Sequence, residues 1–286
     1  MPDTSFRDRV VVITGGSSGI GKQTARRLLE RGASVVITSH DANRLEQARA
    51  ELHGTSPNVD AVAFDVRISE DVTRAIGQIL DRHQRIDVLI NNAGYAVYRP
   101  FEESDVAEIV DLVDVNLTGA MRVAKAVLPS MIARRAGRIV NVSSIGGETI
   151  ITPNAVYCAA KHGMVAWTKA LRYELAHFGL SANVVCPGFT VTHFHDHPTF
   201  RRRDPYRRAG RKPMDVDVVA RSILDAIEYD RLVTYVPRWQ ALVAWALAAL
   251  PWATMPVWNR IARRRVAQLY EQMDAEGPHA SIPPRS

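Results

Sequence analysis

The chain has 286 residues, of which 47% are apolar and 23% are charged, so it can build one large domain or two small ones with a substantial core. This balance excludes an intrinsically disordered chain, a collagen-like repeat and a disulfide scaffold. The two cysteines, Cys158 and Cys186, have no metal-ligand spacing and favour a reducing compartment. Residues 1–9 are polar, unlike a signal peptide, so we expect a cytoplasmic location.

The net charge of +6 is concentrated in one segment and is not spread over the chain. Residues 201–212 contain seven basic side chains and one acidic side chain, and the rest of the chain has 29 of each sign. A chain that is neutral elsewhere lacks the composition of a nucleic-acid-binding protein, so we expect no nucleic-acid partner. The seven basic residues are Arg201, Arg202, Arg203, Arg207, Arg208, Arg211 and Lys212.

Short β-branched segments alternate with longer segments of helical period along residues 1–236. Strands are predicted over Val10–Thr14, Ser34–Thr38, Val59–Phe64, Ile86–Asn91, Arg138–Val142, Ser181–Cys186 and Leu232–Val236. Helices are predicted over Ile20–Arg31, Ala42–His53, Glu70–His83, Asp105–Arg135, Ala155–Phe178 and Val216–Tyr229. This alternation predicts an α/β fold, a doubly wound parallel sheet with helices on both faces. We expect one domain over residues 1–236 and a C-terminal extension over residues 237–286.

A glycine-rich turn follows the first predicted strand and opens the first predicted helix. It reads Thr-Gly-Gly-Ser-Ser-Gly-Ile-Gly over residues 14–21, with spaced glycines at Gly15, Gly19 and Gly21. Such glycines permit a tight turn and a close backbone approach to a phosphate, while the helix N-terminus supplies amide donors. A triphosphate-binding P-loop is the rival interpretation, but it needs Ser or Thr where this chain has Gln23. A dinucleotide-binding turn is favoured over that loop and over a merely tight turn.

Further motifs stand at the ends of later strands and on the helices between them. Residues 91–94 read Asn-Asn-Ala-Gly after the fourth predicted strand, and Pro187-Gly188 follows the sixth. Four polar residues lie between these motifs, namely Asn116, Ser144, Tyr157 and Lys161. Together with the glycine turn, this set makes the chain resemble the short-chain dehydrogenase/reductase family over residues 8–236. The resemblance implies a Rossmann-type fold and a hydride-transferring oxidoreductase that uses a nicotinamide dinucleotide.

Tyr157 and Lys161 lie one helical turn apart, on one face of a predicted helix. A tyrosine phenol titrates near about 10, and a neighbouring ammonium would lower its pKa toward the range of an acid–base catalyst. Alone, a Tyr/Lys pair at this spacing is typical of a solvated helix face. The resemblance implies that Lys161 also holds the nicotinamide ribose.

Two other polar residues complete the candidate catalytic set. Ser144 follows the fifth predicted strand, where a hydroxyl could polarise a carbonyl oxygen. The adjacent Ser143 competes for this role, and the family's spacing of serine to tyrosine selects Ser144. The resemblance implies that Asn116 bends its helix and anchors a water in a proton relay. The alternative for Asn116 is a capping or exposed asparagine.

The resemblance also assigns cofactor contacts along the chain. Asp65 and Val66 match its adenine-contacting pair, and Thr192 stands where a threonine meets the nicotinamide carboxamide. The remaining contacts are Gly15, Ser17, Ser18, Gly19, Ile20, Gly21, His40, Asn92, Ala93, Gly94, Tyr157, Lys161, Pro187, Gly188 and Thr190.

The end of the second predicted strand bears on the choice between NAD and NADP. An acid there would hold the ribose 2′-hydroxyl of NAD, and a basic group would accept the 2′-phosphate of NADP. Ser39 occupies the acid position, and His40 stands where NADP-using relatives often carry arginine. NADP is therefore favoured. NAD stays open because Asp41 is close and Ser18 leaves the glycine turn without a basic residue.

The predicted substrate loop spans residues 190–213. It holds His193, His195 and His197 with the basic run. The alternating histidines lack a clear further ligand, so no metal site is predicted. The basic run is typical of a solvated loop; as a recognition patch it would suit a coenzyme A or acyl-carrier phosphate, or anionic lipid.

The extension begins with an apolar segment, residues 239–258, that contains four tryptophans and no charged residue. Pro251 and Pro256 are expected to break a helix there, which argues against a membrane span. An interfacial membrane anchor followed by arginines remains open, and so does a cover over the substrate cleft or a neighbouring subunit. Both interpretations indicate an apolar substrate.

These observations predict an NADP-preferring oxidoreductase that interconverts a secondary alcohol and a ketone on a lipid-, steroid- or acyl-like substrate. A non-catalytic nucleotide-sensing Rossmann protein and a membrane-surface scaffold are the alternatives. The complete polar set argues against the sensor, which needs no proton donor. The resemblance implies a homo-oligomer formed through the helices at 105–135 and 155–178.

Overall fold

The computed structural model describes residues 6–190 and 213–276. Its strands are β1 (Val10–Thr14), β2 (Ser34–Ser39), β3 (Val59–Ala63), β4 (Val88–Asn91), β5 (Arg138–Val142), β6 (Ser181–Pro187) and β7 (Val233–Val236). Within this part of the chain they form one sheet of seven strands in the order β3-β2-β1-β4-β5-β6-β7. Every neighbouring pair is parallel.

Helices connect the strands and follow the last of them. They are α1 (Gly19–Glu30), α2 (Ala42–His53), α3 (Ser69–His83), α4 (Val106–Val113), α5 (Gly119–Arg134), α6 (Ala155–Ala176), α7 (Val216–Glu228), α8 (Gln240–Ala249) and α9 (Pro251–Glu276). A π-helical segment, Asp114–Thr118, joins α4 to α5 without a break. The predicted strands and helices of residues 10–236 are confirmed, with boundaries that differ by at most two residues.

Side chains of the central strands alternate between two apolar layers. Val11 and Ile13 of β1 enter the layer formed with α1, α2 and α7, whereas Val12 enters the layer formed with α3, α5 and α6. A sheet covered on both faces needs strands that are apolar throughout, and all five residues of β1 are buried. The doubly wound Rossmann-type fold is therefore confirmed.

The strand order places the site. The chain runs from β1 outward to β3, then returns to β4 on the other side of β1. The connections leaving β1 and β4 thus diverge, and a crevice opens between them at the carboxyl ends of the strands. The glycine turn and residues 91–94 both lie at this switch point.

The extension forms two helices joined at a sharp bend. Pro251 begins α9, as expected of a residue that lacks an amide donor, but Pro256 lies inside α9, so the prediction that both prolines break the helix is wrong for Pro256. The helix loses one hydrogen bond near its start and is held by packing further along. Leu269 is 3% exposed and packs in a cluster with Ala96 and Tyr157.

In the described residues, no single helix has the length and apolarity to cross a membrane. The pair α8 and α9 meets that test only jointly, with a bend of 115° between the two helices.

Candidate active site

A cavity of about 780 Å³ opens at the carboxyl ends of the strands. It brings together most of the predicted site residues: Gly15, Ser17, Ser18, Gly19, Ile20, His40, Asp65, Val66, Asn92, Ala93, Gly94, Ser144, Tyr157, Lys161, Pro187, Gly188 and Thr190. Gly21 and Asn116 are buried and do not line it. Thr192 and the loop with its histidines and basic run lie outside the described residues.

The glycine turn is shaped for a close approach to its ligand. Gly15 and Gly19 have positive φ angles of 63° and 52°, which L side chains rarely adopt. A Cβ at Gly21 would overlap the carbonyl oxygen of Gly15, so only glycine lets α1 start this close to the turn. Ser18 precedes α1 without capping it through its side chain, so the first amides of α1 keep their capacity to bind an anion.

Asn92 fastens the glycine turn to the end of β4. Its Nδ2 donates to the carbonyl oxygens of Thr14 at 3.1 Å and Gly15 at 3.0 Å. In return, the hydroxyl of Thr14 accepts from the backbone amides of Asn92 at 3.0 Å and Ala93 at 3.1 Å. The phosphate-binding turn and the segment after β4 therefore hold one fixed geometry.

Asn116 is fully buried in the π-helical segment, so it is not an exposed or capping asparagine. Its Nδ2 donates to the carbonyl oxygens of Tyr95 and Leu112, both at 2.9 Å. Its Oδ1 has no hydrogen-bond partner in the described part of the chain. A Cβ at Gly94 would lie 2.6 Å from this oxygen and 3.6 Å from the Lys161 Nζ, so both polar atoms face the same narrow space.

Tyr157 and Lys161 occupy one face of α6 beneath the cavity. Tyr157 is 8% exposed and Lys161 is 3% exposed, so this pair is not a solvated helix face. The Lys161 Nζ donates to the Val142 carbonyl oxygen at 3.0 Å and lies 5.8 Å from the centre of the Tyr157 ring. Burial lowers the pKa of Lys161 to about 8. A buried ionisable group aimed into a cleft is characteristic of functional sites.

The structure separates the two adjacent serines. The Ser143 hydroxyl donates to the Lys161 carbonyl oxygen at 3.1 Å and thereby holds α6 to β5. The Ser144 hydroxyl accepts from the Gly146 amide at 3.0 Å, and Gly146 lies between Ser144 and the Tyr157 ring. A Cβ at Gly146 would lie 3.5 Å from the Ser144 Oγ and 3.4 Å from the Tyr157 ring, so this hydroxyl and the ring border the same space.

Cys158 is buried next to Tyr157, and burial raises the pKa of its thiol. Its Sγ lies 3.3 Å from the Ile151 amide nitrogen and 3.4 Å from the Ile151 carbonyl oxygen. It therefore packs as an uncharged thiol. No group of three or more His, Cys, Asp or Glu in the described residues could hold a metal ion.

The far end of the cavity lies after β2, where His40 is joined by Arg44. Asp41 accepts a hydrogen bond from the Arg44 amide at 2.9 Å as the N-cap of α2, and this bond lowers the pKa of its carboxyl. Its other oxygen lies 3.7 Å from the Arg44 Nε. Arg44 was not among the predicted site residues, although its place in the first turn of the predicted second helix was a usable signal.

Asp65 and Val66 line the cavity after β3, with Arg67 beside them. Arg67 pairs with Asp65 at 2.6 Å and also with Asp111, which accepts a hydrogen bond from the Tyr95 hydroxyl at 2.6 Å. The hydrogen bonds from Arg67 lower the pKa of Asp65 and hold its carboxyl as an anion. Arg67 was also absent from the predicted site.

The extension supplies part of the cavity wall. A cover over the substrate cleft was one of the two predicted roles of this segment, and a membrane anchor was the other. Trp239, Gln240 and Val243 line it from the start of α8, and Trp258, Ile261 and Arg265 line it from α9. Gln240 packs against Gly188, and its Oε1 is buried without a partner among the described residues. The spacing of the three α9 residues, by three and four positions, was the available signal.

Comparison with known proteins agrees with this site. The short chain dehydrogenase family profile matches residues 9–199. The chain belongs to that family. Its members are oxidoreductases that use NAD(P) and are typically oligomeric.

Two curated relatives are named for ketoacyl reduction. Ketoacyl reductase HetN of Nostoc sp. is 38% identical over 186 residues, which are 65% of this chain and 65% of that protein, so the match spans just under two thirds of the relative. A putative ketoacyl reductase of Streptomyces coelicolor is 39% identical over 64% of this chain and 71% of its own length.

Among solved structures, an actinorhodin polyketide ketoreductase variant with NADPH superposes with a TM-score of 0.74 at 30% identity. The superposition covers 84% of this chain and 99% of that one. A nicotinamide dinucleotide fits the residues present here, because the first amides of α1 have no side-chain cap and the Gln240 Oε1 is a buried acceptor without a described partner.

Proposed function

We propose that the protein is an NADP-preferring oxidoreductase that interconverts a secondary alcohol and a ketone on an apolar substrate. The buried Tyr157–Lys161 pair, set in one cavity with a glycine turn built for a dinucleotide, is the observation that carries this proposal. A sensor that only binds the nucleotide has no use for a buried proton donor and its neighbouring ammonium. A scaffold has no use for them either.

When bound, the dinucleotide supplies the hydride acceptor or donor. In the reductive direction Tyr157 delivers a proton to the carbonyl oxygen, and Ser144 holds that oxygen by a hydrogen bond. The ammonium of Lys161 stabilises the phenolate that Tyr157 becomes, because a positive charge nearby favours the anion. The Asn116 Oδ1, which faces the Lys161 Nζ across Gly94, anchors a water that returns the proton to the tyrosine.

Replacing Tyr157 with Phe tests the reaction. We expect turnover of NADPH with a panel of acyl, steroid and aliphatic ketones to fall by about 10²- to 10⁴-fold, the usual contribution of a positioned proton donor. NADPH affinity, measured by fluorescence titration, should remain unchanged. The exposed Tyr173 on α6, changed to Phe, is the matched control. Wild-type turnover in the Tyr157→Phe variant would refute the mechanism.

NADP preference is supported by the groups after β2. His40 and Arg44 line the cavity there, while the nearest acid, Asp41, is committed to the N-terminus of α2. A 2′-phosphate would meet two basic side chains, whereas the carboxylates of the described cavity wall, Asp41, Asp65 and Asp111, already pair with arginines. NADPH should therefore bind more tightly than NADH.

Arg44→Ala should weaken NADPH binding by about tenfold or more and leave NADH binding unchanged. A hydrogen bond to a charged group contributes a binding free energy of this size. Arg49→Ala on the same helix is the control, because Arg49 pairs with Glu46 at 2.5 Å and does not line the cavity. Tighter NADH binding at every pH would reverse the cofactor assignment.

The apolar substrate is supported by the wall that the extension provides. Trp239, Val243, Trp258 and Ile261 face the same cavity as Tyr157, and aromatic and aliphatic walls are typical of sites for apolar ligands. The names of the curated relatives point to an acyl-like ketone.

Contact with a membrane surface is a second proposal, carried by the outer side of the extension. Leu242, Trp245, Trp252 and Val257 are all more than 60% exposed. A cluster of large apolar side chains in water marks a binding surface, and the exposed arginines at 260, 263 and 264 suit anionic headgroups. The two buried free cysteines fit the cytoplasmic side of such a membrane.

Liposome sedimentation tests this contact. The full chain should sediment with anionic vesicles, more weakly as salt rises, and the double substitution Trp245→Ser with Trp252→Ser should release it. Tyr173→Ser, which removes an equally exposed aromatic on α6, is the control. Wild-type protein that stays in the supernatant with anionic vesicles contradicts the membrane contact.

A homo-oligomer is supported by the exposed side of α4. Val106 and Val110 lie one turn apart and are 75% and 61% exposed. A second copy of the chain would cover them. Light scattering should give a multiple of the 31.7 kDa chain mass, and Val110→Arg should lower that multiple; a monomeric wild type contradicts the assignment.

A further inference from the structure

One side of α9 lines the cavity with two apolar residues and one charged residue, Arg265. Trp258, Ile261 and Arg265 line the cavity at helical spacing, and Leu269, one turn beyond Arg265, is buried in the cluster that includes Tyr157. Four residues of helix rise about 6 Å. Arg265 therefore lines the cavity about one helical turn from the buried contact that docks α9.

Arg265 differs from the other arginines of the cavity in its partners. Arg67 pairs with Asp65 and Asp111, and Arg44 lies 3.7 Å from the carboxyl of Asp41. Arg265 is half-buried, and none of the described residues pairs with it. Those cavity carboxylates are thus already engaged, so an arginine of the cavity wall without a described partner gains most from an anion brought in by the ligand.

We infer that Arg265 binds an anionic group, a carboxylate or a phosphate, that the apolar substrate carries away from its reacting carbon. The inference rests on the proposed function only in placing the substrate in this cavity. It names the substrate class as amphipathic: an apolar body against Trp258 and Ile261, and an anionic end at Arg265. Arg263 and Arg264, its neighbours on α9, are exposed and do not line the cavity.

Calorimetric titration of the full-length protein with NADPH present tests the inference. The probes are decanoate, decyl phosphate and methyl decanoate, which share one chain and differ in charge. Wild-type protein should bind at least one of the two anions about 10- to 100-fold more tightly than the uncharged ester, as expected for charge-assisted hydrogen bonds. The preferred anion identifies whether the site is matched to a carboxylate or to a phosphate.

Three variants locate the effect. Arg265→Met keeps the length and apolar stem of the side chain and should lower anion affinity to that of the ester, while Arg265→Lys should retain part of it. Arg49→Met removes the same charge on α2, outside the cavity and the extension, and should leave the preference intact. Unchanged NADPH affinity in each variant shows that the variant is folded and its cofactor site intact.

Equal affinity of the wild type for ester and anions overturns the inference without need of any variant. An anion preference that survives in Arg265→Met, or that Arg49→Met removes equally, overturns it as well. None of these results depends on turnover, so the inference can fail while the Tyr157→Phe experiment still supports a reductase.

Discussion

Replacing Lys161 with Met should stabilise the cofactor-free fold while abolishing activity. The ammonium is almost fully buried, and burial lowers its pKa from the ordinary 10.5 to about 8. Each pKa unit corresponds to about 1.36 kcal/mol, so a charged Lys161 costs the fold about 3 kcal/mol at pH 7. Methionine also removes the hydrogen bond to the Val142 carbonyl oxygen, a loss of about 1 kcal/mol. The variant should therefore gain about 2 kcal/mol at pH 7.

The gain should depend on pH with a definite sign. Between pH 8 and 10.5 the unfolded lysine still holds its proton, whereas the folded one has lost it. The unfolded state binds more protons in this window, so the stability of the wild type rises with pH relative to the variant. The difference should shrink above pH 8, and near pH 10.5 the wild type should be the more stable protein.

Urea denaturation without cofactor, at half-unit steps from pH 7 to 10, measures this difference. Lys125→Met, at an exposed lysine of α5, should change stability by less than about 0.5 kcal/mol at every pH. A Lys161→Met variant that is less stable than wild type at pH 7, or a difference that stays constant to pH 10, would refute the reasoning. Either result would show that the charged Lys161 ammonium does not lower the free energy of unfolding.

Two further predictions concern the turn and the extension. Gly21→Ala should weaken NADPH binding at least tenfold in a fluorescence titration, because the added Cβ would overlap the Gly15 carbonyl oxygen. Gly77→Ala in α3 is the control: its added Cβ would have no atom within 4 Å, so NADPH binding should not change. Leu269→Ala should destabilise the docking of α9 by about 2–5 kcal/mol and speed proteolysis of the extension, with β1–β7 left intact; protection equal to wild type would show that α9 is held elsewhere.

The sheet and the centre of the site were predictable because their determinants are local. β1 and β5 have the predicted bounds, since each is a short apolar run ended by a polar turn. Residues 92–94 and the Tyr157–Lys161 pair line the cavity as predicted, because parallel strands bring their carboxyl ends to one edge.

The contribution of the extension was not predictable from local pattern. The prolines of residues 239–258 suggested breaks, yet α9 continues through Pro256, because contacts made 13 residues later by Leu269 with residues around Ala96 hold it in place. Those contacts join segments more than 150 residues apart, which no window of sequence reports. Arg44 was missed for a related reason: its role depends on which side of α2 faces the cavity.

The burial of Leu269 beside Tyr157 has a thermodynamic consequence. Detachment of α9 removes Trp258 and Ile261 from the cavity wall, so a ligand that touches this wall binds only while α9 is docked. Binding and docking are then reciprocally linked: the ligand must slow amide hydrogen exchange in α9 by the factor by which docking raises its affinity. Exchange rates in the last helix thus report on occupancy of the reaction centre, more than 100 residues earlier in the chain.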